Sequence, residues 1–402
     1  MRIGILTHCV ANNFGANLQA LSTAFYLKNH GFEPIFIKWD YYLEERNKLM
    51  DKNQLYIHQH FLKEKGFIVT HSCKNNDDII NIIKDYDIQN IIIGSDAIFT
   101  IDSWIEKIKL NKKGIRYNSP KDKIFPNPFW VPFYDEIKSD FRYFYLSPSC
   151  QSSLYKYWSS SKKKKMKEYL SHASYISSRD TYTSLMLQHL LHSNTEIPLT
   201  PDPVWGFNSN IMELPSKDAI LQKFCLKEDY ILVSFYKGLE PSTAWFNSLA
   251  NEAHKYNMTC YSLPMPQGNF NSPLQQNISL PLNPIDWYCL IKYAKGYIGN
   301  NMHPIIVSIH NQTPFFSIDQ HGRKFISKII PNDTSSKVYD LLKRFNLLEY
   351  RIAKNKLNEI TTKEICEKIA NFNIEQLESI NKIMHSQYLD LMNNICLNFI
   401  KK

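Results

Sequence analysis

The sequence predicts an α/β protein built as two doubly wound parallel-sheet domains facing across a cleft. Three observations carry that reading. The chain has 402 residues, beyond the size at which a single hydrophobic core keeps growing. Short apolar strands alternate with helix-patterned stretches, which implies βαβ units. The alternation then starts afresh near residue 229, after a segment of mixed polarity at 208–228 that reads as a linker.

Taken in order, "RIGILTH" (2–8) reads as the first strand and "NLQALSTAFYLKNHG" (17–31) as the helix behind it. Leu18, Leu21, Phe25 and Leu27 share one face of that helix, and Gly31 is its stop signal. "EPIFIKW" (33–39), "IIKDYDIQNIIIGSD" (82–96), "FRYFYLSP" (141–148), "ASYISSRD" (173–180) and "IPLTPDPV" (197–204) continue the first series. In the second, "DYILVSFY", "MTCYSLP", "GYIGN" and "TPFFSID" are strands, with helices at "STAWFNSLANEAHKYN" and "NPIDWYCLIKYAK". The expected division is a first domain over 1–210, a second over 211–345 and C-terminal helices over 346–402. Residues 41–70 read as a helical insertion. Residues 97–140, with "FPNPFWVPFYDE", read as a long irregular segment of the kind that is usually functional.

An apolar fraction of 44% and an aromatic fraction of 13% are globular values. A net charge of +9 suits anionic small substrates or an anionic membrane surface. No RNA-binding or zinc-finger spacing accompanies it, so nucleic acid is the weakest partner class. The eight cysteines are scattered without a C-x-x-C pair, as expected of reduced thiols in a cytosolic protein. The N-terminus lacks a signal-peptide pattern, and no apolar run approaches the roughly 20 residues of a membrane helix. The expectation is a soluble cytoplasmic protein, with peripheral association at the inner membrane face left open.

Candidate chemistry gathers at strand ends. Asn12, Asn13 and Gly15 form a turn that opens a helix, which suits an anion or a sugar hydroxyl as well as an ordinary Asn cap. Ser95 and Asp96 end a buried strand, where the acid can cap a helix, act as a base or hold a sugar. Arg179 is one of eight arginines and ends another strand; a bidentate anion contact competes with a local pair to Asp180. Pro201 and Pro203 fix the turn around Asp202, which suits a structural role. In "GYIGNNMHPIIVSIHNQ", Pro304 suits the first position of a helix, and His303 before it is pushed out of helical geometry. There His303 can donate to an anion or serve as general acid or base, or simply cap the helix. "HQH" (58–60) lacks a third metal ligand at a fitting distance. The lysine run in "SSSKKKKMKEYL" (159–170) reads as a solvated helix face, with an anionic membrane or glycolipid as the alternative.

In this order, "NNFGANLQA", "IIIGSDAIF", "ISSRD", "PDPVW", "DWYCLIKYAKGYIGNNMHPIIVSIHNQTPFF" and "KVYDLLKRFNLLEYRI" resemble the polysaccharide pyruvyl transferase family, from residue 3 to about 352. The resemblance implies a GT-B-like fold of two Rossmann-type domains with a helical tail. It implies a transferase that moves the pyruvyl group of phosphoenolpyruvate onto sugar hydroxyls of a polysaccharide or lipid-linked precursor, as a cyclic ketal. No cofactor or metal is expected beyond the donor. Arg179 matches the family arginine and would contact the donor anion. His303 matches the family histidine and would be catalytic or phosphate-binding, and Asp96 would serve the acceptor side. Asn301 stands where relatives often carry Arg or Ser, so either Lys237 or Arg323 compensates, or phosphate affinity is weak, or the donor differs. Asn12, Asn13, Gly15, Ser95 and Asn301 complete the expected substrate-binding set. Two rival readings are a GT-B nucleotide-sugar glycosyltransferase and a non-catalytic glycan-binding family member.

Overall fold

The computed structural model describes residues 1–39, 51–111, 114–117, 119–137, 140–151, 153–194, 196–211, 213–236, 238–266, 272–319 and 337–400. Strands β1 (Arg2–Leu6), β2 (Glu33–Phe36), β3 (Ile68–Val69) and β4 (Asn90–Asp96) come first. The hairpin β5 (Ile108–Asn111) and β6 (Gly114–Tyr117) follows, then β7 (Arg142–Pro148) and β8 (Tyr175–Ile176). Apart from the hairpin they form one parallel sheet in the order β3-β2-β1-β4-β7-β8. The second half supplies β9 (Tyr230–Ser234), β10 (Thr259–Ser262), β11 (Gln276–Asn277), β12 (Gly296–Gly299), β13 (Phe315–Asp319) and β14 (Arg351–Ala353). These form a second parallel sheet in the order β11-β10-β9-β12-β13-β14. The expected pair of parallel sheets with a helical tail is therefore what the chain builds.

Central strands are apolar on both faces because helices cover both: every residue of β4 is buried. The covering helices of the first sheet are α1 (Phe14–Asn29), α2 (Lys52–Glu64), α3 (Asn76–Asp85), α4 (Ser160–Ser171) and α5 (Thr181–Leu191). Those of the second half are α6 (Lys217–Phe224), α7 (Thr243–Lys255), α8 (Pro284–Lys292), α9 (Met302–His310), α10 (Lys337–Arg344), α11 (Thr362–Ala370) and α12 (Ile374–Ile400). Side-chain caps set many of the starts: Asn13 accepts from the Ala16 N–H at 3.3 Å for α1, and Asp180 from the Thr183 N–H at 2.8 Å for α5.

Three local expectations change. Residues 41–70 are not wholly a helical insertion, since Ile68–Val69 is the edge strand β3; residues 40–50 lie outside the described ones. "IPLTPDPV" contributes only a bridge between Ser178 and Leu199, because Pro198, Pro201 and Pro203 supply no ladder N–H. Arg351–Ala353, inside the stretch read as helical, closes the second sheet beside β13.

Residues 97–140 are a packed layer rather than a loose loop: Phe99, Phe129, Trp130 and Phe133 are buried against the first sheet. The opposite face of that sheet shares one continuous apolar cluster with the second sheet, through α1 and α12. The tail returns to the first sheet, where the Arg142 guanidinium donates to the carbonyls of Asn398 at 2.7 Å and Phe399 at 2.8 Å. A cation on the last carbonyls of a long helix complements its dipole. The eight cysteines are free thiols, all but Cys225 buried. No helix among the described residues is long and apolar enough to cross a membrane.

Candidate active site

In each sheet the strand order reverses once, between β1 and β4 in the first and between β9 and β12 in the second. Ligands of such sheets bind beyond the carboxyl ends of the strands at these switch points. Both switch points open onto one cleft of about 480 Å³. Asn13 and Gly15 (after β1) and Asp96 (ending β4) face Tyr236 (after β9) and Asn300, Asn301 and His303 (after β12). Lys123, Gln151, Arg179, Trp287, Asp319 and Lys337 also line it.

The first wall is dense in charge. Arg179 is buried, and its Nη1 donates to Asp202 Oδ2 at 2.7 Å while its Nη2 lies 3.8 Å from Asp96 Oδ1. Burial alone would weaken the guanidinium's charge, but Asp202, Asp96 and Asp180 reinforce it. Asp202 also receives Gln19 Nε2 and caps the following turn through the Val204 N–H at 3.0 Å. Asp96 caps no helix, since the next one starts at Trp104. Its backbone adopts φ +77°, a left-handed conformation that turns the carboxylate out of the strand and into the cleft. Burial pushes its carboxyl upward, but His8, Arg179, His303 and Lys337 outweigh this and hold it down at about 2.

The second wall presents His303. The helix α9 begins at Met302 with Asn301 in the cap position, so His303 lies within the first turn rather than before it. Pro304 then occupies the third helical position, where a missing N–H is still harmless. The imidazole packs directly against Gly15 across the cleft: a Cβ at residue 15 would overlap the ring. A close approach, not only a turn, is what requires glycine there. His303 Nε2 is buried with no hydrogen-bond partner among the described residues. Burial lowers its pKa, with Arg179 and Lys337 acting in the same direction and Asp202 and Asp96 opposing them. Asn301 offers no side-chain cap; its Nδ2 lies 3.2 Å from the Met265 sulfur.

Lys337 was not among the sequence candidates. It opens α10, which docks on the Arg179 segment: Arg344 Nη1 donates to the Arg179 carbonyl at 3.2 Å, and Asp340 accepts from the Thr181 N–H at 3.2 Å. Burial and the neighbouring Arg179 lower its pKa to about 8, against the pull of Asp96, Asp180 and Cys150. It adds a cation to the cleft lining beside Arg179. It is the first residue of "KVYDLLKRFNLLEYRI", one of the stretches that carry the family resemblance, but a lysine at the start of a charged helix looks like solvated surface.

Asn12 and Ser95 are buried but are not part of the cleft lining. Ser95 Oγ accepts from the Asp96 N–H at 2.6 Å, so it supports the turn that aims Asp96. Lys237 and Arg323 lie outside the described residues. In "HQH", His58 is buried, hydrogen-bonded to Asn17 and 2.9 Å from Gln54 Nε2, and burial lowers its pKa to about 3. Gln54 in turn exchanges hydrogen bonds with the Leu282 backbone of the second half, at 2.6 and 2.9 Å. His58 thus serves an inter-domain contact.

Two Rossmann-like domains with a cleft between their strand ends define the GT-B fold. One solved structure agrees: UDP-GlcNAc 2-epimerase from Methanocaldococcus jannaschii superposes with a TM-score of 0.51 at 8% identity, over 96% of this chain and 99% of that one. A putative UDP-N-acetylglucosamine 2-epimerase from Listeria monocytogenes gives 0.49 at 8% identity, over 91% and 90%. MurG from Acinetobacter baumannii gives 0.43 at 7% identity, over 98% of both chains. No curated protein matches the sequence significantly. The family model for polysaccharide pyruvyl transferase matches residues 13–322, most of the chain, and the protein belongs to that family.

Proposed function

We propose that the protein transfers the pyruvyl group of phosphoenolpyruvate onto two hydroxyls of a sugar in a polysaccharide or lipid-linked glycan, closing a cyclic ketal. The observation that carries this reading is the convergence of His303, Asp96, Arg179 and Lys337 on one cleft. The donor is a small polyanion. Arg179 is largely neutralised by Asp202 and Asp96, which leaves Lys337 as the cation best able to meet the phosphate. The donor's charge would act on His303 in the same direction as Asp96 and Asp202, favouring imidazolium.

The proton then passes from His303 to the methylene carbon of the donor, leaving an oxocarbenium-like centre at the adjacent carbon. A sugar hydroxyl attacks that centre, and its proton passes to Asp96 or back to the neutral imidazole. The second hydroxyl closes the ring as the bond to phosphate breaks, and its proton leaves with the phosphate as hydrogen phosphate. A carboxyl held near 2 is a weak base, so orienting the acceptor and stabilising the cationic centre are the larger part of Asp96's role. The scheme uses no metal and no further cofactor.

The test is phosphate release from phosphoenolpyruvate in the presence of a glycan acceptor. His303→Ala should lose at least about 10²-fold in turnover, the lower range for general acid–base catalysis. Full activity in that variant would remove His303 from the mechanism. Thermal shifts with phosphoenolpyruvate and UDP-sugars separate the rival readings. Stabilisation by a UDP-sugar alone would favour a glycosyltransferase, and stabilisation by glycans alone a binding protein.

A further inference from the structure

We infer that the outer face of the 97–140 layer is a docking surface for an anionic lipid bilayer. Residues Trp104–Lys107 form a short helix that runs directly into the hairpin. Ile108 pairs with Tyr117 across its two strands, so both side chains share one face. Trp104, Ile108 and Tyr117 are 58%, 44% and 65% exposed, and the Lys107 ammonium lies 5.6 Å from the Tyr117 ring centre.

Hydrogen bonds tie further exposed apolar groups to this unit. The Asp102 N–H donates to the Lys123 carbonyl at 3.0 Å, which sets the exposed Ile124 beside it. Trp158 Nε1 donates to the Ile101 carbonyl at 3.2 Å, and the Leu154 N–H to Glu106 at 3.2 Å. Together these two bonds fix the turn that carries the exposed Tyr157. Scattered exposed hydrophobics carry no meaning, but Trp104, Ile108 and Tyr117 sit together on one short helix and hairpin, with Ile124 and Tyr157 on segments bonded to it.

Two acids at the short helix are turned inward: Asp102 and Glu106 are buried, and Glu106 completes a capping box with Ser103, while Asp122 near Ile124 stays partly exposed. Lys156, Lys164, Lys165 and Lys167 are exposed and Lys107 is partly so. Residues 156–167 hold six lysines and no acid. Lys162 is half-buried near Lys107 and the buried acids Asp102 and Glu106, which links the lysine-rich helix α4 to the patch, and α4 buries only Met166 and Leu170.

Protein interfaces are depleted in lysine at their centres. Trp, Tyr and Ile ringed by lysine are instead what a headgroup region with anionic lipids accepts. The patch adjoins the cleft, since Lys123 lines it and Ile124 faces outward beside it. An acceptor carried on a lipid could then reach the cleft from the same surface; that consequence rests on the proposed acceptor class, whereas the surface does not.

The test is co-sedimentation of the full chain with vesicles of phosphatidylcholine, with and without phosphatidylglycerol, at low and high salt. Binding should require phosphatidylglycerol and weaken with salt. Lys107→Glu with Lys156→Glu should weaken it by about fivefold or more per lysine replaced. Trp104→Ser with Tyr117→Ser should weaken it comparably while the melting temperature and turnover on a water-soluble acceptor stay unchanged. Equal binding to both vesicle types, or variants that bind like the parent, would overturn the inference. So would a change of oligomeric state in the Trp104/Tyr117 variant, which would make the patch a protein interface.

Discussion

The two walls of the cleft are built on different terms. On the first, Arg179 is paired with Asp202 at 2.7 Å and lies 3.8 Å from Asp96, and Gln19 and the Val204 N–H also reach Asp202, while Arg179 Nε has no hydrogen-bond partner among the described residues. On the second, His303 Nε2 has no hydrogen-bond partner among the described residues, and Lys337 feels Asp96 and Asp180 without a salt bridge to either. A wall held by a close ion pair therefore faces one whose polar groups are not tied by such a pair. The difference separates what holds the site together from what the site is for, and each wall can be broken without breaking the other.

The largest expected effect falls on the first wall. Asp202→Ala removes the 2.7 Å partner of a buried guanidinium and leaves it with Asp96 at 3.8 Å. Stranding one member of a buried ion pair costs about 3–5 kcal/mol. Denaturant unfolding should show that loss, while His303→Ala, which strands no charge, should unfold nearly as the parent does. An Asp202→Ala variant of undiminished stability would mean that the first wall is not held by this network.

This contrast also explains how much the sequence could reveal. The two sheets were legible because buried parallel strands write themselves as apolar runs, as in "IQNIIIG". Asp96, Arg179 and His303 were legible because they sit at strand ends in recognisable motifs. Asp202 read as structural from its prolines alone, but its bond to Arg179 spans 23 residues and only the fold brings the two together. Lys337 was missed for a related reason: it opens "KVYDLLKRFNLLEYRI", whose pattern reads only as a charged helix, and it reaches the cleft only because α10 docks on Arg179. The edge strands β3, β11 and β14 are two or three residues long, too short to carry a period.

Gly15 links the two walls, so its effect is next in size. Alanine at an early helical position normally stabilises relative to glycine by roughly 0.5–1 kcal/mol. Here the new Cβ would displace the His303 ring. Gly15→Ala should therefore lower stability by about 1–3 kcal/mol through overpacking while turnover falls by about 10²-fold, the scale of a 1 Å misplacement of a catalytic group. A stable and fully active variant would show that the ring does not need its present seat.

The smallest effect tests whether Lys337 supplies the cation that Asn301 does not. With its pKa lowered to about 8 by burial and Arg179, Lys337 is charged at neutral pH and loses its proton as pH rises through 8. Donor binding needs the protonated form, so affinity for phosphoenolpyruvate should be flat below that pH and fall above it. Between pH 7 and 9 the loss should be about tenfold, as for one required proton. Lys337→Arg keeps a charge throughout this range and should flatten the profile, since arginine does not titrate there. Lys337→Met should bind the donor weakly at pH 7 with no inflection near 8. Calorimetric titrations of the three proteins against phosphoenolpyruvate would decide it: an inflection that persists in Lys337→Met belongs to another group, and the second wall would then owe its donor affinity to residues other than Lys337.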